Sequence, residues 1–291
     1  MGKWSRTWSL MGASWQVLKK DKEMLIFPLL SGVSCLLVLV SFAFPLYTSG
    51  RLTLGDDTSF HQLFQRVIYS LTAEDQRVDY YLNLFLFYFC NYFVISFFNS
   101  AIIACARIRM GGGDPTVSDG FRAAVARLPL IAGWALVSAT AGLILRIIED
   151  RSEWLGKLVA GLLGMAWTVI SFLVIPIMVI EKKGPITALK ESTRLLRKTW
   201  GEQLIGNFSF GLVFFVISIP AFLFIAVAFQ SVNGQALIYV ISLAVIYFIF
   251  IALIQSTLQA IFQAAIYLYA RDGQIPEGFQ SELLKNAMAP R

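Results

Sequence analysis

Two sets of side chains in this sequence carry recognisable chemistry, and neither is a catalytic set. The first is uncharged and hydrogen-bonding. Asn91 and Asn99 lie at i, i+8 in one apolar run, and Gln255, Gln259 and Gln263 lie at i, i+4, i+8 in another. Such spacings place side chains on one helix face. An amide facing lipid is costly, so both groups are expected to point at other helices or into a wet cavity. Convergence would line a neutral cavity; the plainer expectation is interhelical hydrogen bonding, worth about 0.6 kcal/mol per contact. The second set combines indole rings with cations. Trp4, Trp8, Trp15, Lys19 and Lys20 stand near the start of the chain, and Lys190, Arg194, Arg197, Lys198 and Trp200 in its second half. Tryptophan favours the headgroup level, and each basic residue beside an anionic leaflet contributes roughly 1 kcal/mol. These residues are therefore expected to meet lipid headgroups.

Enzyme constellations are missing. His61 is the sole histidine, and HExxH and GxSxG do not occur. Gly111-Gly112-Gly113 lacks the GK[ST] and the preceding strand that a phosphate loop requires. Glu149 and Asp150 sit beside Arg146 and Arg151, which reads as a solvated ion-pair cluster. Cys35, Cys90 and Cys105 fall inside apolar runs and read as packing residues. No enzyme activity, no cofactor and no metal site is expected.

The elements that carry these side chains must be helices in lipid. The chain has 291 residues, 57% hydrophobic and 14% charged, against about 25% charged in a soluble domain. Six apolar runs are each long enough to cross a hydrocarbon core of about 30 Å. The predicted fold is an all-α membrane protein, a single transmembrane domain over residues 1–291. Its spans are expected at about 24–47, 80–106, 128–148, 156–180, 203–229 and 235–270. The last exceeds one straight crossing and must tilt, kink or project. Pro176 should kink the fourth span or leave a carbonyl free.

Amphipathic segments are expected at 3–22, 58–71, 116–127 and 186–200. On the first, Trp4, Trp8, Met11, Trp15 and Leu18 share a face, which lies either in the headgroup layer or on the protein's own spans. On the second, Phe60, Leu63, Phe64, Val67, Ile68 and Leu71 recur with helical period. Val117, Phe121 and Val125 mark the third. Ile186, Leu189, Thr193, Leu196 and Trp200 mark the fourth. Amphipathic helix, span and return span recur three times in that order, which predicts three parallel repeats about an axis along the membrane normal.

Of the 24 Lys and Arg, 18 fall in the N-terminal segment, the connections after the second and fourth spans, and the C-terminal tail. The positive-inside rule assigns these, and both termini, to the cytoplasm. The net charge of +6 thus reports orientation and does not point to nucleic acid. No signal peptide is evident.

The stretch Ser14-Trp-Gln-Val-Leu-Lys-Lys-Asp-Lys-Glu-Met-Leu-Ile-Phe-Pro-Leu-Leu-Ser31 resembles the opening of a prokaryotic family of six-span integral membrane proteins of unknown function. Gly184-Pro-Ile-Thr-Ala-Leu-Lys-Glu-Ser192, followed by Trp200-Gly201, resembles its second hallmark. More distantly, the layout is similar to the membrane domain of some glycerophosphodiester phosphodiesterases, whose catalytic His and acidic ligands have no counterpart here. The resemblance implies a six-span fold in a prokaryotic cytoplasmic (inner) membrane and carries no activity with it. The expected function is non-catalytic: binding membrane lipids, or a membrane or cytoplasmic protein partner, at the cytoplasmic face. The alternative is a transporter or channel passing a small neutral or amphiphilic solute between the second and sixth spans.

Overall fold

A computed structural model describes residues 3–48, 77–150, 155–200, 209–231 and 234–273. The described residues form α1 (Lys3–Lys20), a 3-10 turn (Lys22–Leu25), α2 (Ile26–Thr48), α3 (Arg77–Met110), α4 (Val117–Val125) and α5 (Leu128–Asp150). They continue as α6 (Leu155–Ile170), α7 (Val174–Glu181), α8 (Pro185–Trp200), α9 (Ser209–Ser231) and α10 (Gly234–Asp272). The expected amphipathic segment at 58–71, with His61, lies outside the described residues, as does the tail beyond 273.

Among the described residues, five helical stretches are long and apolar enough to cross a membrane: Lys22–Phe44, Tyr80–Met110, Leu128–Asp150, Leu155–Glu181 and Tyr239–Arg271. A shorter apolar stretch, Val213–Ala228, lies within α9. The chain is thus a multi-pass helical membrane protein. α10 runs 39 residues without interruption, roughly 58 Å at 1.5 Å per residue. That is nearly twice the hydrocarbon thickness of about 30 Å, so part of it must stand in the interface or in water.

Local chemistry sets the helix ends. Gly112 takes φ 83° after α3, and the N–H groups of Gly111, Gly112 and Gly113 fold back onto the carbonyls of the last turn. α4 then starts from a capping box: Asp119 N–H donates to the Thr116 hydroxyl, and the Asp119 carboxylate accepts from Thr116 N–H at 3.0 Å. Pro185 opens α8, where its missing N–H costs nothing. The fourth span does not kink at Pro176 alone. It breaks over residues 171–173, one turn earlier, into α6 and α7, because the proline ring crowds the carbonyl of residue 172 and its absent N–H leaves that turn unclosed.

Antiparallel spans bring several termini to one end. The start of α2, the ends of α3 and α10, and the whole of α1, α4, α7 and α8 gather there. This charged end holds most of the core, including Met24, Phe27, Ile102, Ile103, Ile131, Ile177, Met178, Ile261, Ile266 and Tyr267. Phe121 joins Phe27 (5.4 Å), Phe98 and Phe97 in an aromatic cluster between α2, α3 and α4. The opposite end is open: beyond Phe27 and Pro28, no residue of α2 with a described side chain is buried.

Candidate functional site

The amphipathic helices are positioned by their small residues. On α4, Gly120 is buried, and a Cβ there would stand 2.5 Å from Phe27 Cζ, 2.9 Å from Cys105 Sγ and 3.2 Å from the Ala101 carbonyl oxygen. On α8, Ala188 and Ser192 are fully buried; on α1, Ser14 is. The expected faces are shifted only in part, since Val117, Phe121, Leu189 and Leu196 still pack on the core. Val125 and Ile186 are exposed, and Trp15 leaves the packed stripe of α1 to stand outside it with Lys19 Nζ 5.8 Å from its ring centre. Met11 and Leu18 do pack inward. Helices approach most closely where side chains are smallest, so backbone proximity decides the face here, ahead of hydrophobicity.

Each of these helices lies on the end of a returning span: α4 on α3, α8 on α7, α1 on α10. Polar ties fasten the layer. Arg109, at the end of α3, grips the Asp21 carboxylate with Nε and Nη2, and Nη2 also reaches Asp114. Arg127 Nε donates to the Val179 carbonyl at 2.9 Å, near the open end of α7. The fully buried Tyr267 donates its hydroxyl to Glu181. Lys183 Nζ stands 2.5 Å from both Glu181 and Glu191, and these two carboxylates raise its pKa above the ordinary lysine value. The Ser192 hydroxyl accepts the Leu173 N–H at 3.2 Å, so α8 supplies the partner that the break in the fourth span leaves wanting.

The outer side of α8 carries the candidate site. Lys190, Thr193, Arg194 and Arg197 line a recess of about 480 Å³. Thr193 Oγ1 donates to the Leu189 carbonyl at 2.8 Å. Among the described residues none of the three cations has an ion-pair partner, in contrast to Arg109, Arg146 and Lys183. The structure thus brings together three of the five basic or aromatic residues nominated on this segment. It describes no side chain for Lys198 and Trp200, nor for Trp4 and Trp8. Lys19 is exposed beside Trp15, and Lys20 is exposed.

The amides are less concentrated. Asn91 Nδ2 donates to Phe87 O of its own helix at 2.8 Å. Asn99, Gln255, Gln259 and Gln263 are half-buried on α3 and α10, which touch. Neighbouring hydroxyls also turn to their own helices, Ser100 to Ser96 O and Thr257 to Leu253 O. A second recess, about 570 Å³, is apolar and lies between α9 and α10 around Pro220, Phe224, Leu243 and Phe250. There Tyr247 donates its hydroxyl to Ile217 O at 3.0 Å. Among the described residues no group of three or more His, Cys, Asp or Glu is placed to hold a metal.

What sequence reasoning missed is the pair Asp21 and Ser192. Asp21 shows itself as the one acid inside the basic run Lys19-Lys20-Asp21-Lys22. Ser192 gives no signal until the break in the fourth span is known. In comparisons with known proteins, residues 78–278 match a family described as a family of unknown function, DUF6159. No curated protein and no solved structure matches the chain. No match supports the more distant similarity to the membrane domain of glycerophosphodiester phosphodiesterases.

Proposed function

Because the chain belongs to the DUF6159 family of unknown function, which supplies no activity, we propose from its geometry that it is a non-catalytic membrane protein that binds anionic lipid headgroups. The observation that carries this is the cluster of Lys190, Arg194 and Arg197, which have no ion-pair partner among the described residues and stand on one side of an amphipathic helix seated on the spans. Fixed positive charge beside a leaflet attracts anionic lipid, and Arg in particular grips phosphate oxygens in pairs.

In this reading the charged end faces the cytoplasm of a prokaryote, both termini lie on that side, and α9 completes a sixth span. Three parallel repeats of amphipathic helix plus two spans complete the arrangement. The repeat draws support from the seating of α4 on α3, α8 on α7 and α1 on α10. Each helix rests on the return span that precedes it, and α1 meets the last, which is what a closed ring of three units requires. Small buried residues on each helix, Ala13 and Ser14 on α1, Gly120 and Ala124 on α4, and Ala188 and Ser192 on α8, agree with that equivalence.

The test is retention of lipid by the full chain. Purified in neutral detergent and offered equal amounts of phosphatidylglycerol and phosphatidylcholine, the protein should hold phosphatidylglycerol preferentially in native mass spectrometry. Equal retention of both would remove the reading.

A further inference from the structure

We infer that the membrane surface cuts the molecule at the level of α8, and that the charged end stands clear of the bilayer as a dome roughly 15 Å tall. α8 then meets the phosphate layer, and α4 and the lysine-bearing end of α1 do not. The position of the boundary stands on its own; the pairing of α8 with anionic phosphates rests on the lipid-binding reading above. A boundary at the helix ends does not fit the lengths. Tyr80–Met110, Leu155–Glu181 and Tyr239–Arg271 have 31, 27 and 33 residues, roughly 46, 40 and 50 Å of helix, against a hydrocarbon core of about 30 Å. Tilt does not absorb the excess. At about 40°, the top of the usual range, the first and third still project to about 35 and 38 Å. All three are return spans, and all three overshoot toward the charged end.

Contacts between neighbouring helices mark one level across the bundle. Phe42 meets Phe87 with ring centres 5.6 Å apart on antiparallel α2 and α3, which sets Leu30 opposite Asn99. Gly142 of α5 sits against Tyr88 and Tyr92, which sets Gly133 opposite Asn99 as well. A Cβ on Gly133 would stand 3.1 Å from Pro185 at the start of α8. Ser192, farther along α8, accepts the Leu173 N–H at the break in the fourth span. Phe172, in that break, meets Phe262 of α10 at 6.4 Å. Leu30, Asn99, Gly133, the break and Phe262 thus share a height, and α8 lies across it. Measured from there to the far end, Gly133 to Asp150 is roughly 26 Å and Leu173 to Lys157 roughly 24 Å. The far-end charges therefore reach the opposite boundary of a hydrocarbon layer of about 30 Å with their side chains.

Burial changes at the same height. On α3 no residue from Tyr80 to Ile95 is buried, and every residue from Ser100 to Ala106 is. On the fourth span Gly156 alone is buried among the described residues before Leu173, and all but Ile175 are buried from Leu173 to Ile180. On α2 burial stops at Pro28. Water drives apolar side chains to be wrapped on every face, and lipid tails do not. The other amphipathic elements lie outside the level. Gly120 of α4 packs on Ala101 and Cys105, beyond Asn99. Arg127, just after α4, donates to Val179 O, roughly 9 Å beyond Leu173. Arg109, which grips Asp21, stands roughly 15 Å beyond Asn99, and Lys20 and Lys22 flank Asp21. Attraction to a charged leaflet fades over a Debye length of about 8 Å, so those lysines gain little. Ile186 and Lys190, both exposed on α8, stand at the boundary, where an apolar side chain and a cation one turn apart are both accommodated.

The experiment reads depth first. The full chain, with Cys35, Cys90 and Cys105 replaced by Ala, carries a spin label at Val125→Cys, Ile186→Cys or Leu136→Cys in phosphatidylcholine nanodiscs. Power saturation compares oxygen, which concentrates in lipid, with a nickel chelate, which stays in water. Nickel should dominate at Val125, the two should balance at Ile186, and oxygen should dominate at Leu136. Oxygen dominating at Val125 and Ile186 would place the boundary at the helix ends and overturn the dome. Val125→Cys in a chain that keeps its native cysteines repeats the test without the triple replacement. A charged, membrane-impermeant maleimide should modify it at least tenfold faster than Cys35 and Cys90; equal protection overturns the dome. A second arm offers phosphatidylglycerol and counts bound lipid by native mass spectrometry. Lys190→Gln with Arg194→Gln and Arg197→Gln should lower retention at least threefold, and Lys22→Gln with Arg122→Gln should leave it unchanged. Equal losses in the two variants overturn the assignment to α8. No preference for phosphatidylglycerol in wild type removes the lipid-binding reading and leaves the boundary to the depth measurement.

Discussion

At the charged end Asp21 is gripped by Arg109 with the two side chains 7% and 17% exposed, whereas at the far end Arg146 meets Glu149 (3.0 Å) and Asp150 (3.2 Å) with all three about a third exposed. The surroundings differ in the same sense. Around Arg109 the helices are wrapped by α1, α4 and α8; at the far end α2, α6 and α9 turn apolar side chains such as Phe44, Leu162 and Leu223 outward. Lipid tails are as apolar as leucine, so burying one apolar face on another gains little in a bilayer. Where helices do close, small residues and polar ties must hold them, and the charged end has both. The far end leaves its apolar faces to lipid.

The largest expected effect tests that contrast directly. Arg109→Ala leaves the Asp21 carboxylate buried without its partner, and breaking a buried pair from one side costs about 3–5 kcal/mol. Arg146→Ala removes a half-exposed pair, worth about 0–1 kcal/mol. Denaturant unfolding of the two variants in the same detergent should rank them in that order by a wide margin. Comparable losses would mean that the two ends are held in the same way.

Glycine substitutions sharpen the contrast at smaller scale. Gly120→Ala drives a methyl group into Phe27, Cys105 and the α3 backbone at 2.5–3.2 Å, and overpacking of this kind costs about 1–3 kcal/mol. Gly161, on the exposed side of α6, has no neighbour within 4 Å of a would-be Cβ. Gly161→Ala should therefore stabilise, by about 0.5–1 kcal/mol from helix propensity alone. Opposite signs in thermal unfolding are expected; the same sign for both would show that α4 is not seated as closely as Gly120 implies.

These residues also mark how far the sequence could be read. Helix, membrane and five of the six expected crossing segments were legible because hydrophobicity over twenty residues is a summed signal that no single side chain can reverse. The cationic face of α8 was legible because Lys190, Arg194 and Arg197 repeat at helical spacing. The packed faces were legible only in part: Met11, Leu18, Phe121 and Leu196 do face the core. Pattern reading takes large apolar residues as the buried stripe, yet Val125 and Ile186 are exposed while Gly120, Ala188 and Ser192 are buried. Close approach depends on a partner helix far away in the chain. The break at Pro176 was legible from the proline, but its partner was not: the N–H left at Leu173 is satisfied by Ser192, nineteen residues on.

The smallest effect expected concerns the capping box of α4, which seats the helix that Gly120 packs. The Thr116 hydroxyl and backbone N–H hold the Asp119 carboxyl below the usual aspartate value. A group whose pKa is depressed in the folded state stabilises it above the unfolded value, about 3.9, and loses that contribution as pH falls through the folded value. The stability gap between wild type and Asp119→Ala should therefore be constant from neutral pH down to about 4 and close below it. The box lies at the surface, so the gap should be the smallest of those considered, but its pH dependence carries the information. A gap that stays flat into the acid range would mean that Asp119 acts through helix propensity and not as an ionised cap. The seating of α4 on α3 would then rest on the close contact at Gly120 without help from the end of the helix.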